Sequence, residues 1–502
     1  MKNNLLILLA LFVIGLLVHF RSFQLVPYGD DWKFIYLHYS HEEKDLNFSN
    51  FPGIFSYLAP YGPAILTIGT VYQFFGKAYF VYYLIPLIFK ILISFVLFLS
   101  LENISVILKQ KNRFLNFLSA LLFLVGFTGI QAIDWSMNMN VFIALFIFVL
   151  GLFFQIKYYI NEKKSDLLLS FFLVVFSIIV APTRLTPMVI ILPLIDLILV
   201  FKKSYNFLRI FIFKNIIFAV LVFLFLQIGI FGNPGQINNS GLIRPFFNTF
   251  LIDPILSFGI FMHWVGATIL PIYPSSGISK TALAGAVFVI ILILSFFKSP
   301  NKWLIIGSLI YFIPLFLMWL SSTLLKIVDA DSRHLVFPFL SLCFLIGLIF
   351  VSIGKAKKIM VFTLLVLIFA HVYSVERMYT RLISIGRGSN FIIPLQEKIM
   401  SHFPSPITEP KIIFLDFDDA AVQQSIEFGI GYRIAFLSGT RNINFLPKPF
   451  SNKVILIQKL NQQLNRGNQK DEIINNIYAF RLRKGEFSDI TNSFQDELKR
   501  EI

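Results

Sequence analysis

The sequence predicts a polytopic α-helical membrane protein with about eleven transmembrane helices, helices on the outer membrane surface and a small C-terminal α/β domain. Of the 502 residues, 57% are apolar and 14% are charged, and the mean hydropathy is +0.76. A soluble domain would carry about 25% charged residues. Apolar runs of roughly 17 to 25 residues, long enough to cross a bilayer as helices, recur from Leu5 to about Tyr373.

Basic residues between the apolar runs indicate the orientation. They cluster at 109–113, 157–164, 202–214, 298–302 and 355–358. Placing every cluster in the cytoplasm satisfies the positive-inside rule, so the N-terminus is predicted inside and the C-terminal region outside. The predicted crossings are 4–20, 80–101, 114–133, 139–156, 167–182, 187–201, 210–231, 281–298, 303–321, 334–353 and 359–375.

Two further apolar stretches are not counted as crossings. Residues 63–76 are too short to span comfortably, and counting them would reverse the side of every later basic cluster. Residues 255–272 follow Pro254 and contain Pro271, His263 and Trp264, and counting them would place Lys298 outside. Both stretches are therefore predicted to be interfacial or re-entrant helices on the outer face.

The first apolar run and the composition exclude several other classes. No small-residue cleavage site precedes Arg21, so residues 5–20 are predicted to be a retained anchor. The net charge of +16 comes largely from residues that flank apolar runs, which makes it an orientation signal rather than a nucleic-acid surface. With Cys343 as the single cysteine, no intrachain disulfide can form.

From about Glu376 the sequence becomes polar, and residues 376–502 are predicted to form an extracytoplasmic α/β domain. The pattern predicts a strand over 411–417, a short helix over 420–428 and a second strand over 454–457. Asp416, Asp418 and Asp419 follow the first strand, where a turn is favoured over a metal site.

Reactive side chains collect on the predicted outer side. The first outer loop, 21–79, carries the adjacent pair Asp30 and Asp31 just after the first crossing, and carboxylates beside a bilayer cost free energy unless they are used. The outer set also contains the following residues: Lys77, Asp134, Trp135, Arg184, Arg244, Asp253, His263, Asp329, Asp331, Arg333 and His334.

This set suits transfer of a sugar from a lipid phosphate. Arg or Lys would bind the phosphate and stabilise the charge that develops as it leaves. A carboxylate would accept the proton of the attacking hydroxyl or amine. A donor with a polyprenyl tail would lie between helices, which agrees with the lack of a Walker or dinucleotide-binding glycine motif in the sequence.

The arrangement resembles the GT-C superfamily of membrane glycosyltransferases, including the protein O-mannosyltransferases and the lipid A aminoarabinose transferase. In that superfamily an acidic pair follows the first transmembrane helix and precedes juxtamembrane helices. Here Gly29-Asp30-Asp31-Trp32 takes the acidic place, and 31–42 and 63–76 take the places of the helices. The run 333–338 (RHLVFP) is similar to the Arg-aromatic-x-x-x-Pro sequence that opens a late helix, with His334 in the aromatic place.

The resemblance implies roles for individual residues. One of Asp30 and Asp31 would be the general base, and the other would orient the acceptor or support the base. The predicted ligands of the donor phosphate are Arg333, Arg184, His334, Lys77 and Lys90. The reaction would invert the anomeric carbon. No metal ligands are predicted and no cofactor is certain, although a divalent cation stays open.

Structural roles compete with these assignments. Asp30 could simply cap the helix that follows it. Arg333 and Arg184 could anchor their helices at the headgroups. Lys90 lies inside the second apolar run and either snorkels to the outer surface or faces the donor phosphate. His334 is expected to be structural or a hydrogen-bond donor rather than a metal ligand.

Three functions therefore stay open, with the glycosyltransferase preferred. It would lie in the cell membrane and act on a lipid, glycan or protein acceptor, with the bilayer and the lipid-linked donor as partners and no nucleic acid. A transporter or flippase of lipid-linked sugars would carry charged or broken helices near mid-bilayer. A surface-polysaccharide polymerase or ligase would use a large later loop, and the stretch 232–280 keeps that alternative open.

Overall fold

A computed structural model gives the fold. It describes residues 2–27, 29, 31–33, 35–36, 62–109, 112–181, 185–203, 212, 214–220, 253–271, 278–298, 302–321, 333–352, 357–384, 388–427, 429–440, 442–464 and 470–502. The predicted site residues Asp30 and Arg184 lie outside these ranges, as do Arg244, Asp329 and Asp331. Most of the predicted crossing 210–231 and of the predicted juxtamembrane helix 31–42 also falls outside them.

Helices form the described part of the chain up to residue 384. Five of them are long and apolar enough to cross a membrane, and five shorter apolar helices accompany them. This content is compatible with a helical membrane protein. In chain order the helices are α1 (Lys2–His19), α2 (Gly62–Phe75), α3 (Phe80–Ile107), α4 (Arg113–Val125), α5 (Met139–Asn161), α6 (Lys164–Val180), α7 (Ile191–Lys203), α8 (Pro254–Ile269), α9 (Ile278–Lys298), α10 (Lys302–Ser321), α11 (Val336–Ser352) and α12 (Lys357–Leu382).

Short turns join several of these helices. The 3-10 turn Phe20–Gln24 extends α1, and the turn Arg333–Leu335 leads into α11. Between α4 and α5 the chain forms the helical turn Gln131–Asp134 and the 3-10 turn Ser136–Asn138. A further 3-10 turn, Thr186–Ile190, precedes α7.

Two predicted helix ends are corrected by the structure. Helix α4 ends at Val125, eight residues before the predicted end of its crossing at 133. The chain turns there because Gly129 has a φ of +80° and lies so close to Val336 that a Cβ would come within 2.5 Å of the Val336 Cβ. Helix α12 continues to Leu382, past the predicted end at 375.

The helix predicted over 63–76 is confirmed as α2. The stretch 255–272 forms α8, which packs against α9 along their length. A Cβ on Gly266 would lie 1.8 Å from the Thr281 carbonyl oxygen, and one on Gly285 would lie 2.0 Å from the Met262 oxygen. The two contacts are four residues apart on each helix and follow in opposite order along the two helices. Helices α8 and α9 are therefore antiparallel. This packing does not fit an interfacial helix lying flat on the membrane; it is compatible with the predicted re-entrant helix.

The C-terminal region contains a four-stranded sheet in the order β2-β1-β3-β4. Strand β1 is parallel to both β2 and β3, whereas β3 and β4 form an antiparallel hairpin. Its turn uses Lys484 and Gly485, both at positive φ. The elements are α13 (Ser389–Met400), β1 (Ile412–Phe417), α14 (Ala420–Glu427), α15 (Ile430–Leu437), β2 (Lys448–Phe450), α16 (Lys453–Leu464), α17 (Lys470–Asn475), β3 (Ile477–Arg483), β4 (Glu486–Asp489) and α18 (Thr491–Glu501).

The strand predicted over 411–417 and the helix predicted over 420–428 are confirmed as β1 and α14. The strand predicted over 454–457 is wrong, because these residues open α16. The side chain of Asn452 accepts hydrogen bonds from the backbone N–H groups of Val454 and Ile455, at 2.9 and 3.2 Å, and so starts a helix where four apolar residues resemble a strand.

The contact between α8 and α9 gives a first prediction. We expect Gly266→Ala to lower the free energy of unfolding by about 1–3 kcal/mol, because the added methyl group forces apart two backbones in contact. Gly259→Ala is the matched control on the same helix, since a Cβ there would meet nothing within 4 Å. Thermal unfolding in detergent measures both; equal melting temperatures for the two variants would contradict the described packing.

Candidate active site

The loop after α1 is folded back on itself around Trp32. Gly29, at a φ of +57°, accepts a hydrogen bond from the Trp32 backbone N–H at 3.2 Å. The Trp32 indole N–H donates to the Pro27 carbonyl at 3.1 Å. Asp31 is 0% exposed and Trp32 is 2% exposed. The described half of the predicted acidic pair is therefore a buried carboxylate in an ordered turn, and it interacts electrostatically with Tyr82 at the start of α3.

Aromatic rings surround Trp32. Tyr72 from α2 and Tyr79 from the following turn meet its ring edge-on, with centroids 6.4 and 6.2 Å away. Tyr72 in turn packs on Phe436 of α15 at 4.7 Å. Burial raises the pKa of Tyr79. These rings place the acidic loop under a helix that comes from the C-terminal region.

Arg433 of α15 lies directly over this cluster. Its guanidinium carbon is 4.8 Å from the centroid of the Trp32 ring, which is a cation–π distance. The side chain is 0% exposed. Its Nη2 donates to the Tyr79 hydroxyl at 3.5 Å, and its Nε and Nη1 have no hydrogen-bond partner among the described residues. Burial lowers the pKa of Arg433, although an arginine still carries its charge at neutral pH.

A backbone contact fixes how closely α15 approaches the loop. Gly429, the residue before α15, has a φ of +107°, and a Cβ at this position would lie 2.4 Å from the Gly29 carbonyl oxygen. Only glycine combines this conformation with this closeness. The pairing of Leu25 with Gly388 adds a second contact between the loop and the C-terminal region.

A second Asp-Trp pair, Asp134 and Trp135, also has an arginine over its tryptophan ring. Asp134 ends the turn Gln131–Asp134 and is 4% exposed. The guanidinium carbon of Arg333 lies 5.4 Å from the centroid of the Trp135 ring, and its buried Nε has no hydrogen-bond partner among the described residues. Arg333 opens the turn that leads into α11, as predicted, and half-buried His334 follows it.

Two other predicted phosphate ligands already have protein partners. Lys77 forms an ion pair with Glu397 of α13 at 3.0 Å, and both side chains are exposed. Lys90 is 1% exposed and donates to the Gly126 carbonyl at 2.8 Å. Neither predicted alternative for Lys90, snorkelling or facing the donor phosphate, describes this contact, in which Lys90 caps the end of α4.

The end of α4 is held by three side chains from three helices. Its last carbonyl groups have no partner within the helix. The Leu124 carbonyl contacts His19 Nε2 of α1 at 3.2 Å, and the Gly126 carbonyl accepts from Lys90. The N–H of the following Phe127 donates to His371 Nδ1 of α12 at 3.0 Å. The helix can therefore end inside the bundle.

A buried ion pair joins other helices. Asp196 of α7 is 0% exposed and pairs with Lys214. Its carboxylate also accepts from Gln155 of α5 at 2.5 Å and from Asn215 at 3.2 Å. The sequence pattern treated Lys214 only as part of a basic cluster, so this network is a finding of the structure.

Asp418 and Asp419 form the turn after β1, as predicted, whereas Asp416 lies within β1. Asp416 pairs with Arg481 at 2.7 Å and with Arg483 at 2.5 Å. Asp419 caps α14 by accepting from the Val422 N–H at 3.1 Å. Within the described residues, no group of three His, Cys, Asp or Glu side chains is arranged to hold a metal ion.

No protein-family model matches this chain, and no curated protein sequence matches it. The resemblance to the GT-C superfamily therefore stays a prediction. Arg433 is the residue of the acidic-loop site that sequence reasoning missed. Its one signal was local: the run 429–433 (GIGYR) places two glycines and an aromatic residue before an arginine in a polar region.

The cap on α4 gives a second prediction. We expect His371→Phe to lower the free energy of unfolding by about 1–3 kcal/mol, because the buried Phe127 N–H loses its acceptor, while the new ring can keep the contact with Phe339, now at 5.0 Å between centroids. His402→Phe is the control, since His402 lies at the surface beside Asp489 and such pairs contribute about 0–1 kcal/mol. Melting curves in detergent that drop equally for both variants would contradict the capping role.

Proposed function

We propose that the protein is a GT-C-like glycosyltransferase of the cell membrane, with about eleven crossings and its active site on the outer side. It moves a sugar from a polyprenyl-phosphate-linked donor to a lipid, glycan or protein acceptor. The observation that carries the proposal is the buried carboxylate of Asp31, in a loop ordered by aromatic packing directly after the first apolar helix. A protein keeps a carboxylate buried beside a bilayer only where it compensates or uses that charge.

In the proposed reaction Asp31 or Asp30 accepts the proton of the acceptor hydroxyl or amine. The acceptor oxygen or nitrogen forms a bond to the anomeric carbon while the bond from that carbon to the phosphate oxygen breaks. The electron pair leaves with the polyprenyl phosphate, and the anomeric carbon inverts. The protein's contribution is to hold base, acceptor and leaving group in line.

Arg333 is the best supported of the predicted phosphate ligands. Its buried Nε–H is without a partner among the described residues, whereas Lys77 and Lys90 are engaged. A guanidinium in this position would stabilise the charge that develops on the departing phosphate. Arg184 and His334 stay predicted members of the same site.

One observation favours the alternative of a transporter for lipid-linked sugars. The buried pair of Asp196 and Lys214 lies among apolar helices, where ionisable residues often mark a substrate or ion pathway. A transporter would move the lipid-linked sugar across the bilayer without breaking its bond to phosphate.

A transfer assay separates the two functions. The purified full chain is incubated with polyprenyl phosphates that carry a hexose, a pentose or an aminopentose, together with membrane acceptors. We expect transfer by the wild type and a loss of about 10²–10⁴-fold in either Asp30→Asn or Asp31→Asn, because the general base is removed. Asp253→Asn is the matched control, since Asp253 caps α8 through the Leu256 N–H at 2.9 Å and asparagine caps equally well.

The outcomes are distinct. If the wild type transfers no sugar but moves a lipid-linked sugar across vesicles, the protein is a transporter and the proposal fails. If the wild type transfers and both aspartate variants keep the full rate, the base lies elsewhere. Loss of the same size in Asp253→Asn would show that the assay reports folding rather than chemistry.

A further inference from the structure

Arg433 is a buried charge in the acidic-loop site that has one hydrogen bond among the described residues. A buried guanidinium normally has acceptors for most of its five N–H bonds. Here one long hydrogen bond to Tyr79 and the face of Trp32 are its contacts, and Nε and Nη1 have no hydrogen-bond partner among the described residues. Leaving a buried donor unpaired costs free energy, and more so for a charged one.

The carboxylate of Glu397 does not remove this cost. Glu397 favours the charged form of Arg433 through space, but it is about half exposed and already paired with Lys77. Arg433 and Glu397 form no ion pair among the described contacts. The two N–H groups therefore suit an anion that is not part of the described protein.

We propose that Arg433 is an anion-binding residue that the C-terminal region supplies to the acidic-loop site, where it takes the phosphate of the lipid-linked substrate. The choice of phosphate rests on the proposed function; the presence of an anion rests on the buried, unpaired guanidinium. Arginine suits phosphate because its planar N–H groups match the spacing of the oxygens. Stacking on Trp32 holds that plane in place.

The second Asp-Trp pair has the same construction. In each pair a buried Asp precedes a Trp, an Arg from a distant part of the chain covers the Trp ring, and that Arg keeps a buried N–H without a partner among the described residues. Arg433 comes from the C-terminal region and Arg333 from the helical region. This assigns the C-terminal region a part in substrate binding.

Binding can be measured without the transfer reaction. The purified full chain is titrated with polyprenyl phosphate, with polyprenol of the same length and with inorganic phosphate, following tryptophan fluorescence. We expect the wild type to bind polyprenyl phosphate at least about tenfold more tightly than polyprenol, and Arg433→Met to lose about tenfold or more of that preference, as for hydrogen bonds to a charged group. Arg481→Met is the matched control, because Arg481 is exposed on β3 and pairs with Asp416.

The melting temperature of the ligand-free protein gives a second measurement. A purely structural role for Arg433 predicts the opposite change in melting temperature from an anion-binding role. If Arg433 is retained for the anion, replacing this uncompensated charge with an apolar side chain of similar length leaves the melting temperature unchanged or raises it. If Arg433 only holds α15 on the loop, Arg433→Met lowers the melting temperature and leaves the preference for phosphate intact. Arg433→Lys keeps the charge, so it should retain part of the preference.

Each outcome of these experiments either supports the proposal or overturns it. An Arg433-dependent preference for polyprenyl phosphate supports the proposal, and the same dependence for inorganic phosphate supports it with a free phosphate as ligand. Equal preference in the wild type and Arg433→Met overturns it. If Asp30→Asn lowers the melting temperature of the wild type but not of Arg433→Met, the anion is Asp30 and the proposal fails. Arg433-dependent binding with no sugar transfer would leave this inference standing and remove the proposed function. If Arg433→Met does not fold, Arg433→Lys and Arg433→Gln are read in the same way.

Discussion

Polar groups inside an apolar helix bundle must find partners within the protein, and this constraint organises the described structure. It explains how α4 can stop at Val125 while still surrounded by other helices. The end of α4 would expose carbonyl groups and an N–H to an apolar interior, so α1, α3 and α12 each contribute one side chain to it. The same constraint pairs Asp196 with Lys214. Lys90, which resembles a phosphate ligand in the sequence, thus holds the end of α4 in this structure.

The two arginines that cover tryptophans depart from this pattern. Arg433 and Arg333 each keep a buried N–H without a partner among the described residues, whereas Lys90 and His19 have partners at short range. Departures from local satisfaction tend to occur where a protein binds something, because the missing partner is then the ligand. Both departures involve an Asp-Trp pair, and one of these pairs is the acidic motif that the sequence singled out.

The sequence predicted elements whose signal is local and missed contacts between distant segments. Helix α2, strand β1 and the turn through Asp418 could be found because their apolar period or their turn residues lie within a few positions. The apolar run 454–457 misled, because a single cap at Asn452 outweighs four strand-forming residues. Lys90 was ambiguous, since its acceptor, the Gly126 carbonyl, is a backbone atom 36 positions away. Arg433 was missed, because its local signal is weak and its contact is with Trp32, about 400 residues earlier.

The arrangement of charges also bears on whether the protein transfers a sugar or transports it. A transport pathway needs ionisable groups that can release and regain a partner as the protein changes conformation. The buried carboxylate of Asp196 contacts Lys214, Gln155 and Asn215, as expected of a fixed contact between helices. In the acidic-loop site, Asp31 and Arg433 are both buried, and Arg433 lies over the ring of Trp32, which packs against Tyr72. Transition-state stabilisation favours groups that are already fixed in place, because such groups need not reorganise when charge develops. If the protein acts as proposed, the ordered acidic loop would supply such fixed groups, whereas in a transporter the pair of Asp196 and Lys214 would have to open for a substrate to pass.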